Sequence, residues 1–339
     1  MIDSLLRSFP LDAAEHSAVG ALFWATVCGS WGLTLVRIAG RRNYSIVDRL
    51  WPALPSVFVL QWMSLLAPQP PQQQHPKLVF VDLGSAAGQK AAVAQLLVFA
   101  WTLRLTFNSV RRGDYAWDAE DYRWAYVRSW FGRRSVVAWE VFNFLFISVF
   151  QISLLYLLVK PVRNLTVYAA AVSSIQTQSP GHSDQGWSTG EIALAASMVL
   201  LLELEAVADK QQYTFQAGKR QSTAAQAPEH KAGFVHTGLW RFSRHPNVFC
   251  EQAFWLCIAV FSAKAASVSL CSWQSAFEFL TGPAVLVALM WGSVELTESI
   301  SRSKYPLYRA YQIKTSRLVP WLPWSNDRVT GEAHKRLAC

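Results

Sequence analysis

The sequence predicts an all-α protein, an integral membrane helical bundle of about seven transmembrane helices, and three observations lead there. Hydrophobic residues make up 52% of the 339 residues and charged residues only 16%, well under the roughly one quarter of a soluble domain. Several apolar runs approach the ~20 residues that a membrane helix needs. Lys and Arg crowd the odd-numbered connections and the C-terminal tail, and are sparse at the N-terminus and in the even-numbered connections. That alternation puts the N-terminus outside or in a lumen and the tail in the cytosol. The net charge of +9 is thus assigned to topology and membrane-lipid headgroups, not to nucleic acid.

The expected spans are at about 18–39, 46–67, 91–107, 136–159, 190–208, 248–263 and 273–296, the third and sixth being short. Residues 68–76 (PQPPQQQHP) form a polar linker, and 174–190 a Ser/Gly/Gln-rich loop, both on the non-cytosolic side. Asn164-Leu165-Thr166 fits a glycosylation sequon on that side. The five cysteines (28, 250, 257, 271 and 339) include no CxxC pair, so neither a disulfide framework nor a zinc site is expected, and no metal is assigned. Residues 1–17 mix acidic and basic positions without a signal-peptide pattern.

The chemistry falls in the connections. Around the second span the chain reads YSIVDRLWPALPS, placing Asp48 and Trp51 at the membrane edge. An Asp there is either a site residue or half of a salt bridge with Arg49 or Arg104. The third span ends in WTLRLTFNSVRRG, where Arg104 can reach a phosphate or snorkel to the interface. The acidic-aromatic EDYRW, Glu120 to Trp124, follows. The fifth span ends in LELEAVADKQQYTFQ, with Glu205 and Asp209 four apart on one helix face. These carboxylates can accept hydrogen bonds from ribose hydroxyls or a carboxamide, or pair with Arg241 or Arg244.

The stretch Gly233–Trp255, GFVHTGLWRFSRHPNVFCEQAFW, sets Arg241, Arg244 and His245 before Pro246. Proline favours the first turn of a helix, so a helix is expected to begin at His245-Pro246-Asn247. Its free N–H groups and partial positive charge would attract phosphates. Glu251 lies one turn inside, where a carboxylate is costly unless paired or functional. Past the seventh span, Glu298 and Arg302 have the spacing of a helical ion pair, and Tyr305, Tyr308 and Tyr311 recur every three residues. Arg302 and Tyr305 are further site candidates.

The GLWRFSRHPNxFxE run resembles the signature of the steroid 5-alpha-reductase C-terminal domain superfamily, and is most similar to its multi-spanning membrane proteins of poorly defined function. The Ser-x-x-Asp-x-x-Trp pattern at Asp48 and Trp51, the Glu-x-x-Ala-Asp-x-Gln…Phe pattern from Glu205, and the tail RSKYPLYRAYQIKTSRLVPW extend the likeness along nearly the whole chain. The resemblance implies NADPH held by 190–320 through Glu205, Asp209, Arg241, Arg244, His245, Asn247, Glu251, Arg302 and Tyr305. It places a lipid or sterol-like substrate on the side of helices 18–160, near Asp48, Trp51 and Arg104, with 1–339 as one membrane domain, and reduction of a carbon–carbon double bond in the endoplasmic reticulum.

The chain departs from the steroid reductases at their catalytic groups. Where those enzymes have a glutamate before Leu-Pro-Ser, this chain has Ala53, and where they have a tyrosine three residues before an arginine, it has Trp101. Neither can act as an acid. The isoprenylcysteine carboxyl methyltransferases have a related Arg-His-Pro…Glu pattern, so S-adenosylmethionine-dependent methyl transfer is an alternative. A non-catalytic lipid-binding membrane protein is another. With no GxGxxG and no P-loop, a nucleotide would need a pocket formed by helices and cytosolic loops.

Overall fold

The computed structural model describes residues 13–36, 42–65, 83–131, 135–178, 185–221, 230 and 232–323. The described residues are helical throughout, joined by turns, with one isolated parallel bridge between Ser243 and Ser316. In chain order the helices are α1 (Ala13–Leu35), α2 (Ile46–Leu50), α3 (Leu54–Leu65), α4 (Ala86–Arg112), α5 (Tyr122–Trp130) and α6 (Val136–Phe142). A π-helix (Asn143–Phe150) leads into α7 (Gln151–Gln178), followed by α8 (Thr189–Gln221), α9 (Pro246–Ala265), α10 (Trp273–Lys304) and α11 (Tyr308–Lys314).

Local chemistry explains where several of these begin and end. The Ser85 hydroxyl accepts the Gly88 N–H at 3.0 Å, capping α4, which stops where Gly113 takes a left-handed φ of 83°. Asp121 caps α5 by accepting the Arg123 N–H. Ser188 and Glu191 exchange hydrogen bonds at the start of α8, a capping box in which the Glu191 carboxylate reaches back to the Ser188 N–H at 2.7 Å.

Four of the helical stretches are long and apolar enough to cross a membrane: Ala86–Arg112, Val136–Ser173, Pro246–Ala265 and Trp273–Lys304. They coincide with the third, fourth, sixth and seventh expected spans. Gly20–Leu35 is a shorter apolar helix at the first. The second is divided into α2 and α3 by the turn at Trp51–Ala53. The fifth lies within α8, whose Glu191, Glu203, Glu205 and Asp209 interrupt its apolar run.

The fourth span differs from expectation. The helix does not stop at residue 159 but continues without a break to Gln178. Lys160 is paired with Glu278 at 2.7 Å, so its charge does not force an exit, and Pro161 removes only one backbone donor. The sequon is therefore helical: Asn164 and Thr166 are buried, and the Thr166 hydroxyl donates to Val162 O and accepts from Gln95. Burial in a helix removes Asn164 from the surface that glycosylation needs. The linker 68–76 lies outside the described residues, as do 179–184 of the second loop.

The chain divides into two compact units, Met1–Met198 with Trp255–Leu286, and Val199–Phe254 with Val287–Cys339. In the first, α7 packs against α3 and α4. Phe58 and Trp62 meet Tyr156 edge-on, each at 5.5 Å, and Gly282 of α10 meets the Leu157 backbone so closely that a Cβ would collide. Buried polar pairs fix the register: Ser56 Oγ to Thr102 Oγ1 at 2.7 Å and Lys90 to Glu191 at 3.0 Å. In the second unit, Phe234, Tyr308 and Tyr311 form one aromatic core, and Phe215, Val235 and Trp240 another.

Candidate functional site

In the second unit, the α8 face anticipated from the i, i+4 spacing is buried: Glu205 and Asp209 are 3% and 7% exposed. Gln212 extends that face by another turn. Pro246 opens α9 as expected, and the Asn247 side-chain amide donates to Asp209 Oδ1 at 3.3 Å. Glu251, one turn further into α9, is also buried. Two acceptors in this neighbourhood, Asn247 Oδ1 and Gln212 Oε1, are buried without a hydrogen-bond partner among the described residues. Such an arrangement suits a ligand that brings N–H or O–H donors.

Arg244 and His245, expected to present themselves to phosphate, are turned into the fold. The Arg244 guanidinium donates to Glu298 Oε1 at 2.6 Å and Oε2 at 3.2 Å, to Gln312 O at 2.9 Å, and to Thr315 O. His245 Nε2 faces Glu298 Oε1 at 3.1 Å, and Gln312 donates to Glu298 Oε2 at 2.7 Å. Glu298 thus does not pair with Arg302 as the helical spacing anticipated. Arg302 reaches back to Glu295 at 3.1 Å in an exposed pair. Asp209 is held by an amide from the neighbouring helix.

Arg241 is on the outside, with its guanidinium over the Phe242 ring. Lys314 lies near enough that burial, and then the Arg241 charge, lower its pKa. Tyr305 accepts a hydrogen bond from Lys219 at 3.0 Å. Burial alone would raise the Tyr305 pKa, but Lys219 and Lys304 outweigh it and hold the phenol below its usual range. Gly233, at a φ of 81°, lets the Tyr305 ring pack where a Cβ would stand. Tyr308 and Tyr311 belong to the core instead, and burial pushes both phenols up.

In the first unit, Asp48 Oδ2 accepts the indole N–H of Trp124 at 2.7 Å, which joins the two motifs around Asp48 and Glu120–Trp124. Arg49 does not bridge to Asp48; it donates to the carbonyls of Asp114, Ala116 and Ala119. Asn43 adds amide donations to Trp117 O and Ala119 O, and Ser45 Oγ accepts the Asp121 N–H. The connection after α4 is thereby clamped to the segment before α3. Trp51 is half-buried in the turn that follows α2. Arg104 is half-buried on α4, and one turn before it Trp101 packs edge-on against Trp255 at 5.0 Å. The Ser56–Thr102 bond brings the segments containing Ala53 and Trp101 together.

The sequence reading missed Glu298 as the partner of Arg244. It also missed a second charged cluster, in which Arg42 pairs with Glu140 at 2.6 Å and Arg128 with Glu120 at 3.0 Å. Glu298 had a visible signal, its place in the Glu295, Glu298 and Arg302 stripe just past the seventh span; the other cluster had none beyond its basic loops.

These features define a helical membrane protein with buried polar clusters at its helix ends and connections. The chain belongs to the family described as "Protein of unknown function (DUF1295)", whose model matches residues 34–315. It is 34% identical over 316 residues to the uncharacterized protein C594.04c of Schizosaccharomyces pombe (strain 972 / ATCC 24843), covering 89% of this chain and 79% of that one. No solved structure matches the chain.

Proposed function

We propose that this protein is an NADPH-dependent membrane reductase of the steroid 5-alpha-reductase-like superfamily, reducing a carbon–carbon double bond of a lipid or sterol-like substrate in the endoplasmic reticulum. The observation that supports the cofactor most is the pair of orphan acceptors, Asn247 Oδ1 and Gln212 Oε1, beside the buried Asp209. Ribose hydroxyls and a carboxamide supply the donors such acceptors lack. Arg241 and Lys314 on the outer side, with Lys219 and Lys304 near Tyr305, supply positive charge for phosphates. Arg244 then acts as a positioning residue: by fixing Glu298 and the 312–315 carbonyls it anchors the start of α9, on which Asn247 and Glu251 ride. Bound NADPH would supply the hydride. In this reading 190–320 holds the cofactor and 18–160 the substrate side.

The proposed topology has seven crossings, α2–α3 and α8 included, with 108–135 and 209–247 in the cytosol. Three buried carboxylates, Glu205, Asp209 and Glu251, favour a second reading, because they also suit the positive sulfonium and ammonium of S-adenosylmethionine.

The test is binding by the purified protein in nanodiscs, with NADPH and S-adenosylmethionine compared side by side. NADPH binding that weakens in Glu251→Gln and with rising salt supports the reductase. Saturable S-adenosylmethionine binding without NADPH binding selects the methyltransferase. Binding of neither leaves a non-catalytic lipid-binding protein.

A further inference from the structure

A second site lies in the first unit, apart from the groups assigned to cofactor and substrate. A cleft of about 640 Å³ opens beside the start of α6, lined by Arg42, Tyr44, Arg128, Phe131, Trp139 and Glu140 among others. Its acceptors are already engaged: Glu140 Oε1 takes Arg42 Nη1 at 2.6 Å and Tyr44 OH at 2.9 Å, and Oε2 takes the Asn143 amide at 3.2 Å. Its donors are not. Arg42 Nε, Arg128 Nε and Trp139 Nε1 are buried with no hydrogen-bond acceptor among the described residues. Trp139 as a whole is only 4% exposed. Arg128 is also held in place, its guanidinium 4.6 Å from the Tyr44 ring centre and 5.1 Å from that of Trp139.

Leaving a buried N–H without an acceptor costs about 1–3 kcal/mol, so three around one cleft call for an occupant that brings oxygen atoms. Two of the donors belong to charged guanidinium groups, and hydrogen bonds from these are strongest to an oxyanion. The cleft is apolar on its other side. From Phe131 and Trp139 a ladder of stacked rings runs along the helix, Trp139 to Phe142 at 5.5 Å, Phe142 to Phe146 at 4.9 Å and Phe146 to Phe150 at 5.3 Å. The π-helical turns hold the last two steps of this ladder, and such turns recur at functional sites. Val137, Val141 and Leu145 on the same helix point outward and are more than half exposed, as a lipid-facing surface requires.

We propose that this cleft binds an anionic lipid, with its phosphate or carboxylate on the Arg42, Arg128 and Trp139 N–H groups and its chain along the Phe142–Phe146–Phe150 ladder. The site does not depend on NADPH binding.

The test uses full-length protein in neutral detergent with short-chain phosphatidate, short-chain phosphatidylcholine and inorganic phosphate as separate probes. Phosphatidate is expected to raise Tm and to bind saturably, with the other two much weaker. Trp139→Phe keeps the ring but removes one donor, and Arg128→Lys keeps the charge but removes the Nε–H. Each is expected to raise the phosphatidate Kd about fivefold or more, the effect of one charge-assisted hydrogen bond. Without lipid, Trp139→Phe should unfold at the same or a higher temperature than the wild type, because an unsatisfied donor is gone. Unchanged phosphatidate affinity in Trp139→Phe, or phosphate binding as tightly as phosphatidate, would overturn the proposal.

Discussion

Arg244 and Arg128 are both held by a glutamate beside aromatic rings, yet their surroundings differ in one respect. Arg244 gives hydrogen bonds from Nε and from both terminal nitrogens, to two carboxylate oxygens and two carbonyls. Arg128 places one terminal nitrogen on Glu120 and leaves its buried Nε–H without an acceptor among the described residues. A saturated arginine is a structural element whose donors the fold has consumed. An unsaturated one keeps a donor for something the described residues do not supply. Position in the sequence does not separate the two, since both stand in basic segments next to apolar helices.

The sharpest way to break this comparison is Glu298→Ala. The substitution strands a buried guanidinium and removes the acceptor used by His245 and Gln312. Losing one partner of a buried ion pair costs about 3–5 kcal/mol. Thermal unfolding of the purified protein is expected to show a large fall in Tm, and a near-normal Tm would mean that the Arg244 network does not anchor α9. Glu120→Ala should cost much less, because the Arg128–Glu120 pair is more open to solvent, at 38% and 24% side-chain exposure.

Next in size is the contrast between Arg241 and Arg244 as ligands of a nucleotide. Arg241→Gln should weaken NADPH binding by about 1–3 kcal/mol while leaving folding stability within about 0.5 kcal/mol of wild type. Arg244→Gln should lower Tm first and binding only as a consequence. Equal and isolated binding losses in both variants would return Arg244 to direct contact with the phosphates.

How much of this was legible in the sequence follows from the same distinction. The apolar runs and Pro246 fixed most helices, because membrane helices are set by length and hydropathy. The continuation of α7 past Pro161 was not legible, since it depends on Glu278 neutralising Lys160 from a distant segment. The Glu205–Asp209 face was legible from its spacing, and its meeting with Asn247 follows from two helices whose ends the motifs mark. The inward turn of Arg244 was hidden because its partners, Glu298, Gln312 and Thr315, lie 54 to 71 residues away. The cleft at Arg42 and Trp139 was hidden for a related reason: unsatisfied donors can be recognised only after every acceptor has been placed.

A smaller effect concerns pH and the connection after α4. At Asp121, burial acts upward but the Arg123 hydrogen bonds and charge outweigh it and hold the carboxyl low. Its contribution is present above the unfolded value near about 4 and is lost as pH falls through the depressed one. Stability should thus fall below about pH 4, and Asp121→Asn should remove that part of the fall. Trp124→Phe, which removes the 2.7 Å bond to Asp48, should cost about 1 kcal/mol at neutral pH.

The smallest expected effect is at Arg302, and it tests the comparison from the opposite side. Arg302 meets Glu295 at 3.1 Å, but the two side chains are 44% and 52% exposed, and Glu295 also holds Arg317 at 2.8 Å. Water can replace the lost donor, and the second arginine keeps the carboxylate partnered. An exposed pair of this kind contributes about 0–1 kcal/mol, so Arg302→Ala should leave Tm nearly unchanged. Its consequence for NADPH is the informative part. If Arg302 adds only to the field of the basic surface, the variant loses little affinity at moderate salt and more at low salt, where screening is weaker. If it meets a phosphate directly, the loss persists as salt rises and matches that of Arg241→Gln. Titrations of both variants at two salt concentrations separate these cases. The surface-field outcome is expected, because nothing buried orders the Arg302 side chain as Glu298 orders Arg244.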